Sequence, residues 1–158
     1  EERQMQTKEQ LQGNVRYAIR LCERTARLYR RTQTAGVFLA IVGGSATLSG
    51  AFGGLPGWVT ASGSLVLAVA GAALIAMRPA DKAAQNESDV RRYRSLMTKS
   101  YQMTVEDLAA ALAEAHQGDA PEVEPLRNVA FNDTLIEIHR EDQLVQLSAT
   151  ERLLKVIA

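Results

Sequence analysis

The sequence predicts an all-α membrane protein: a two-helix transmembrane hairpin with long cytoplasmic helical extensions and a short C-terminal helical subdomain. Three observations predict it. Residues Thr32 to Met77 contain no Asp, Glu, Lys or Arg, although charged residues are frequent on both sides. The flanks carry apolar residues at spacings of three and four, and no alternating apolar and polar run is long enough to propose a strand. A bilayer core about 30 Å thick needs roughly 20 apolar residues per span, so the charge-free interval holds two spans and a short turn.

Taken in order, residues 1–33 form a cytoplasmic amphipathic helix. Leu11, Val15, Ala18, Cys22, Thr25 and Tyr29 recur at alternating spacings of four and three, which gives one narrow, mostly apolar seam. Arg16, Arg20, Arg24 and Arg27 lie off that seam. No Pro interrupts Glu1 to Leu55, and Gly13 is the only Gly before Gly36, so the helix is expected to continue into the bilayer as one rod.

Residues 34–78 form the hairpin, with spans at about 34–52 and 58–77. Gly50, Gly53, Gly54, Pro56 and Gly57 concentrate helix-breaking residues between them. Trp58 suits the headgroup level, where its amphipathic ring is half wet. Arg30, Arg31 and Arg78 mark the other interface, and Pro79 either kinks or stops the second span.

Residues 79–158 form a cytoplasmic helical region. Tyr93, Met97, Tyr101, Val105, Leu108, Leu112 and Ala115 keep a helical period, predicting one helix to about His116. Gly118 to Pro121 break it, Val123 to His139 show a further period, and a last helix begins near Ser148. There Ser148 and Glu151 have the spacing of a capping box.

Charge placement orients the hairpin. Residues 1–31 hold eight Lys/Arg against four Asp/Glu, residues 78–158 hold ten against fourteen, and the loop between the spans holds none. Cations are retained on the cytoplasmic side, so both termini are expected there, in a bacterial inner membrane, with only the Gly-rich turn outside. The opening residues show no signal-peptide pattern. The lone Cys22 excludes an intramolecular disulfide and suits a reducing compartment.

Lipid supplies no hydrophobic drive between helices, so close packing relies on small side chains. Gly36, Ala40 and Gly44 repeat every four residues in the first span, and Ala68, Ala72 and Ala76 in the second, following Ser64. These candidate packing faces serve either the hairpin itself or a homo-oligomer, which the unpartnered seams of the flanking helices favour. Ser45, Thr47, Ser49, Thr60, Ser62 and Ser64 are the candidate pore-lining hydroxyls. The bland alternative is that each bonds to its own helix's preceding carbonyl.

No enzyme is expected. His116 and His139 with one Cys in the opposite flank make a poor metal set, no phosphate-binding Gly-rich loop is followed by Lys-Ser or Lys-Thr, and no catalytic, cofactor or metal residue is proposed. The arginines near the spans are expected to meet membrane lipid rather than nucleic acid, since no aromatic stacking platform accompanies them. The acidic run from Glu106 to Glu124 reads as a solvated face, with docking of a basic partner the other possibility.

A long amphipathic helix, two short-linked spans and a cytoplasmic helical tail resemble the SLATT family, two-transmembrane effector domains of bacterial nucleotide-signalling defence systems. Asn128-Val-Ala-Phe-Asn-Asp133 is similar to an aromatic-Asn-Asp element of some of its tails. The resemblance implies an oligomeric pore-forming or membrane-perturbing effector, controlled by a sensor or nucleotide-signalling partner. Asn132 and Asp133 are the candidate regulatory contact, with a helix-surface or cap pair as the structural alternative. A holin-like phage protein and a non-conducting membrane scaffold are the other classes open to such a chain.

Overall fold

In a computed structural model that describes residues 7–158, every regular element is helical. Helix α1 runs Lys8–Gly53 as one rod of 46 residues, and α2 spans Gly57–Met77. α3 (Pro79–Ser100), α4 (Val105–Gln117), α5 (Arg127–Glu137) and α6 (Ala149–Ile157) follow. α1 and α2 are long and apolar enough to cross a membrane.

The chain divides into two compact units. One joins the described residues up to Leu28 with Ala83–Ala158, and the other is Tyr29–Lys82.

In the first unit the four-and-three seam of α1 is packed as its spacing requires. Leu11, Val15 and Ala18 meet Tyr93 and Leu96 of α3 and Leu108, Leu112 and Ala115 of α4 in one apolar core. A second cluster brings Leu21 against Leu126, Ala130 and Ala158, with Tyr17, Leu28 and Leu154 packed around it. α1 therefore buries two stripes, where the spacing predicted one.

The single helix expected to reach His116 is instead two antiparallel ones. A continuous helix would hold Tyr93 and His116 about 34 Å apart, yet the Tyr93 hydroxyl lies 2.8 Å from His116 Nδ1. α3 stops at Ser100, and the Lys8 ammonium donates to the carbonyls of Tyr101 and Met103 at 3.0 and 2.8 Å, where the helix C-terminus favours a cation. Thr104 then caps α4 by accepting from the Asp107 amide at 3.1 Å. The turn interrupts the apolar period without removing it, which is why the spacing alone ran straight through.

The helix expected over Val123–His139 is shorter at both ends. Pro125 starts it as a 3-10 turn at Glu124–Leu126, and α5 closes with His139 in the left-handed region (φ 57°). The amides of His139 and Arg140 return to Ile136 and Leu135 at 3.2 and 2.8 Å, satisfying two orphan carbonyls. α6 begins with the anticipated reciprocal box of Ser148 and Glu151.

Candidate functional site: the apolar hairpin and its charged flank

The second unit owes its form to glycine. At the end of α2, Arg78 takes a left-handed conformation (φ 46°, ψ 52°) and donates its amide to Leu74, so Pro79 opens α3 where its missing N–H costs nothing. Pro79 therefore marks a stop. Between Gly53 and Gly57 the chain turns through Gly54, whose φ of 69° suits a residue without Cβ.

α1 and α2 then pack through a seven-residue repeat. Gly36 faces Leu74, Gly43 faces Gly63 and Leu67, and Gly50 faces Thr60. A Cβ on Gly43 would sit 2.7 Å from the Gly63 carbonyl oxygen and 2.8 Å from the Leu67 amide, so the backbones touch there. Small residues at this seam let the helices gain dispersion contact without hydrophobic drive.

Within the hairpin, the second span does not pack through the expected alanine face. Ala68, Ala72 and Ala76 are exposed, while Gly63 and Ala70 are buried. A strict four-residue step drifts about 40° around a helix each time, so the alanine stripe leaves the neighbour that alternating threes and fours keep in view. On α1, Gly36 lies in the seam, and Ala40 and Gly44 are half-buried beside it. Sequence reasoning missed Gly43, Gly50, Gly63, Leu67, Ala70 and Leu74, although Gly36-Gly43-Gly50 and Thr60-Leu67-Leu74 recur every seven residues.

The hydroxyls do not gather on one surface. Thr47 lies 3.2 Å from Ser64 across the seam, and Thr60 abuts Gly50. Thr47, Ser62 and Ser64 donate to the carbonyls of Gly43, Trp58 and Thr60 at 2.8 to 2.9 Å. Ser45, Ser49 and Ser62 are exposed.

The outer surface of the hairpin is apolar and uncovered. Phe38, Ile41, Leu48, Phe52, Leu65, Val69 and Ile75 are exposed, as is Trp58. Only 6% of the most apolar stretch of α1 is buried. Water-soluble proteins rarely leave large contiguous apolar surfaces uncovered. On one flank a groove of about 630 Å³ runs between the helices, with Gly36 and Ala70 in its floor and Leu39, Leu65, Val69 and Met77 along it.

Arg30 and Arg31 are exposed at the basic end of the hairpin, and Arg78 pairs with Asp81 at 2.6 Å. Lys82 lies 5.4 Å above the Tyr29 ring, a cation–π distance.

In the charged unit, the arginines of α1 work within the protein. Arg16 and Arg20 hold Glu137 at 2.8 and 2.9 Å, and Arg24 holds Asp133 at 2.8 Å. Arg24 also donates to the carbonyl of Lys155, and Arg27 to that of Ala158, both at 2.9 Å. The row fastens α5 and α6 to α1, so these four are not the lipid contacts expected of them. Burial pushes the Glu137 carboxyl up, but the hydrogen bonds and charges of Arg20 and Arg16 outweigh it and hold Glu137 below the ordinary range.

Asn132 and Asp133 each have an internal partner. The Asn132 side chain is buried; it donates to the Val145 carbonyl at 2.7 Å and accepts from the Val145 amide at 2.9 Å. The pair closes the loop before α6, while Asp133 serves the arginine row.

A polar knot ties α3 to α4. Tyr93 donates to Asp119 at 2.6 Å, His116 Nδ1 lies 3.0 Å from the same carboxylate, and Arg92 bridges Asp119 and Asp89 at 2.6 and 3.0 Å. Because Tyr93 donates to Asp119, its oxygen can only accept from His116, which places a proton on Nδ1. Burial and the Asp119 hydrogen bond push the Tyr93 phenol up, so it stays a donor. Cys22 is pushed up to about 12 by burial and by Asp119, Asp89 and Glu122. Its thiol is protonated at neutral pH and unsuited to nucleophilic chemistry. Among the described residues no group of three or more His, Cys, Asp or Glu is placed to hold a metal ion.

No protein-family model, curated protein or solved structure matches the chain.

Proposed function

We propose that this chain is an oligomeric membrane effector, pore-forming or membrane-perturbing, acting in a bacterial defence system as the SLATT resemblance implies. The observation that carries the reading is the contrast between the two units. The hairpin closes its glycine seam internally and still exposes Phe38, Leu48, Leu65, Val69 and Ile75, side chains that only hydrocarbon or another apolar helix can cover. The charged unit pairs Arg16, Arg20 and Arg24 with its own Glu137 and Asp133 and has two apolar cores. In this reading the hairpin inserts with both termini cytoplasmic, and Ala68, Ala72 and Ala76, left free by the hairpin, pack between copies. A sensor or nucleotide-signalling partner acts on the charged unit.

A non-conducting scaffold is the second reading. It is favoured by the hydroxyls of Thr47, Ser62 and Ser64, which already donate to carbonyls of their own helices. The test is potassium efflux from cells expressing the full chain, alongside efflux from vesicles carrying the purified protein. Efflux in both supports the effector. Stable membrane assembly with intact ion gradients in both supports the scaffold.

A further inference from the structure

We infer that the hairpin enters a preformed bilayer tip first and without translocation machinery, because nothing between its two feet has to cross as an ion. The inference rests on the membrane reading above and goes beyond it by naming the partner that the apolar surface fits, a protein-free lipid bilayer, and the route of entry. Length is the first observation. α2 has 21 residues, about 32 Å at 1.5 Å per residue, and the charge-free part of α1 from Thr32 to Gly53 matches it. Each arm therefore reaches across a hydrocarbon core about 30 Å thick. The tip is the second. Phe52, Leu55 and Trp58 are exposed at the leading end, and Gly53, Gly54, Pro56 and Gly57 between them bring no polar side chain.

The polar groups that cross are bonded within the hairpin. The hydroxyls of Thr34, Thr47, Ser62 and Ser64 donate to the carbonyls of Arg30, Gly43, Trp58 and Thr60 at 2.8 to 3.0 Å, one turn back on their own helices. They enter hydrocarbon with that bond already made. Backbone groups are satisfied along both helices, as a bilayer requires, which leaves the short turn. There Pro56 has no N–H to strand, and its carbonyl accepts from the Val59 amide at 2.9 Å. Carrying a charge through hydrocarbon costs far more than carrying a bonded hydroxyl. The first ionised residues are Arg31 and Arg78, at the base of the two arms, and they hold both feet on the side of entry. A machine that moves charged segments across has no such cargo in this hairpin.

The full chain with Cys22→Ser and Gly57→Cys is synthesised in a membrane-free translation mixture beside vesicles of phosphatidylethanolamine and phosphatidylglycerol. The vesicles hold no protein and enclose a maleimide on a polymer too large to escape through a small pore. Cys22 is the one cysteine of the chain, and a Cβ at Gly57 meets nothing, so the new thiol reports arrival of the tip in the lumen. Labelling is expected in the protein-free vesicles, while a thiol placed instead at the exposed Gln117 should stay unlabelled. Gly54→Asn and Gly54→Asp then differ by charge alone, at an open position whose φ of 69° both residues tolerate. The Asn variant should insert at the parent's rate and the Asp variant about a hundredfold more slowly, the effect of taking one carboxylate through the bilayer centre. Equal rates for the two overturn the inference, as does labelling at Gln117. So does a tip that labels only in vesicles carrying translocation machinery, a result that leaves the membrane reading standing. A tip that labels in neither kind of vesicle refutes the spanning hairpin itself, whether the chain lies on the surface or stays in solution as an assembly of copies.

Discussion

Gly43 and Gly63 meet backbone to backbone: a Cβ on either would come within 2.8 Å of an atom across the seam, the Gly63 carbonyl oxygen for one and the Gly43 carbonyl oxygen for the other. This contact fixes how closely the two apolar helices can approach. Gly43→Ala or Gly63→Ala should therefore force them apart, with a cost of about 1–3 kcal/mol by overpacking. Gly71, around which a Cβ meets nothing, is the control. There Gly71→Ala should be neutral or stabilise by up to about 1 kcal/mol through helix propensity. Denaturant titration of the detergent-solubilised chain, followed by circular dichroism, reads both signs.

Arg24 and Asp133 form a mostly buried pair, and Arg24 also serves the Lys155 carbonyl. Arg24→Gln should lower stability by about 2 kcal/mol, the scale of a hydrogen bond to a charged group. Hydrogen exchange should rise in α5 and α6 and leave α2 unchanged. A uniform increase across all helices would contradict the assignment of this arginine to local docking.

Acid should loosen the same face. Glu137 is held below its ordinary value of 4.5, so the folded chain releases this proton more readily than the unfolded one. Its stabilising contribution is complete above the unfolded value and is lost as pH falls through the folded one. Thermal melting of the wild-type chain should weaken from about pH 4.5 downward, and Glu137→Gln should flatten that part of the profile while lowering stability at neutral pH.

Asn132 is buried with both faces of its amide engaged by Val145. Asn132→Ala strands one amide and one carbonyl and should cost about 1–3 kcal/mol. Asn132→Asp keeps the acceptor for the Val145 amide but sets a carboxylate against its carbonyl, so it should be no better tolerated at neutral pH. Protease sensitivity of the loop between α5 and α6 would report the change directly.

Much of the fold was legible because hydrophobic period and punctuation agree in this chain. The absence of charge from Thr32 to Met77, the breakers between Gly53 and Gly57, and the Ser148–Glu151 box each announce an element that the structure contains. The turn at Tyr101 to Thr104 was not legible from period, because apolar spacing continued across it. The signal was local chemistry, a Thr104 cap followed by Asp107, with Lys8 supplying the cation from far along the chain.

The site was read less well. Small residues at a four-residue step look like a packing face, yet two helices that stay in contact need threes and fours in alternation, so Gly43, Gly63 and Leu67 hold the seam instead of Ala68 and Ala72. The arginines were ambiguous for a related reason. Arg16, Arg20 and Arg24 present the same charge whether their partner is a phosphate or Glu137 and Asp133, and those partners lie more than a hundred residues away in sequence.

The central claim is that hairpins of this kind assemble in a membrane, and the most direct measurement is the mass of the detergent-extracted full chain across a range of concentrations. The account predicts a mass that is a defined multiple of the single chain and persists on dilution. A single-chain mass at every concentration would contradict it.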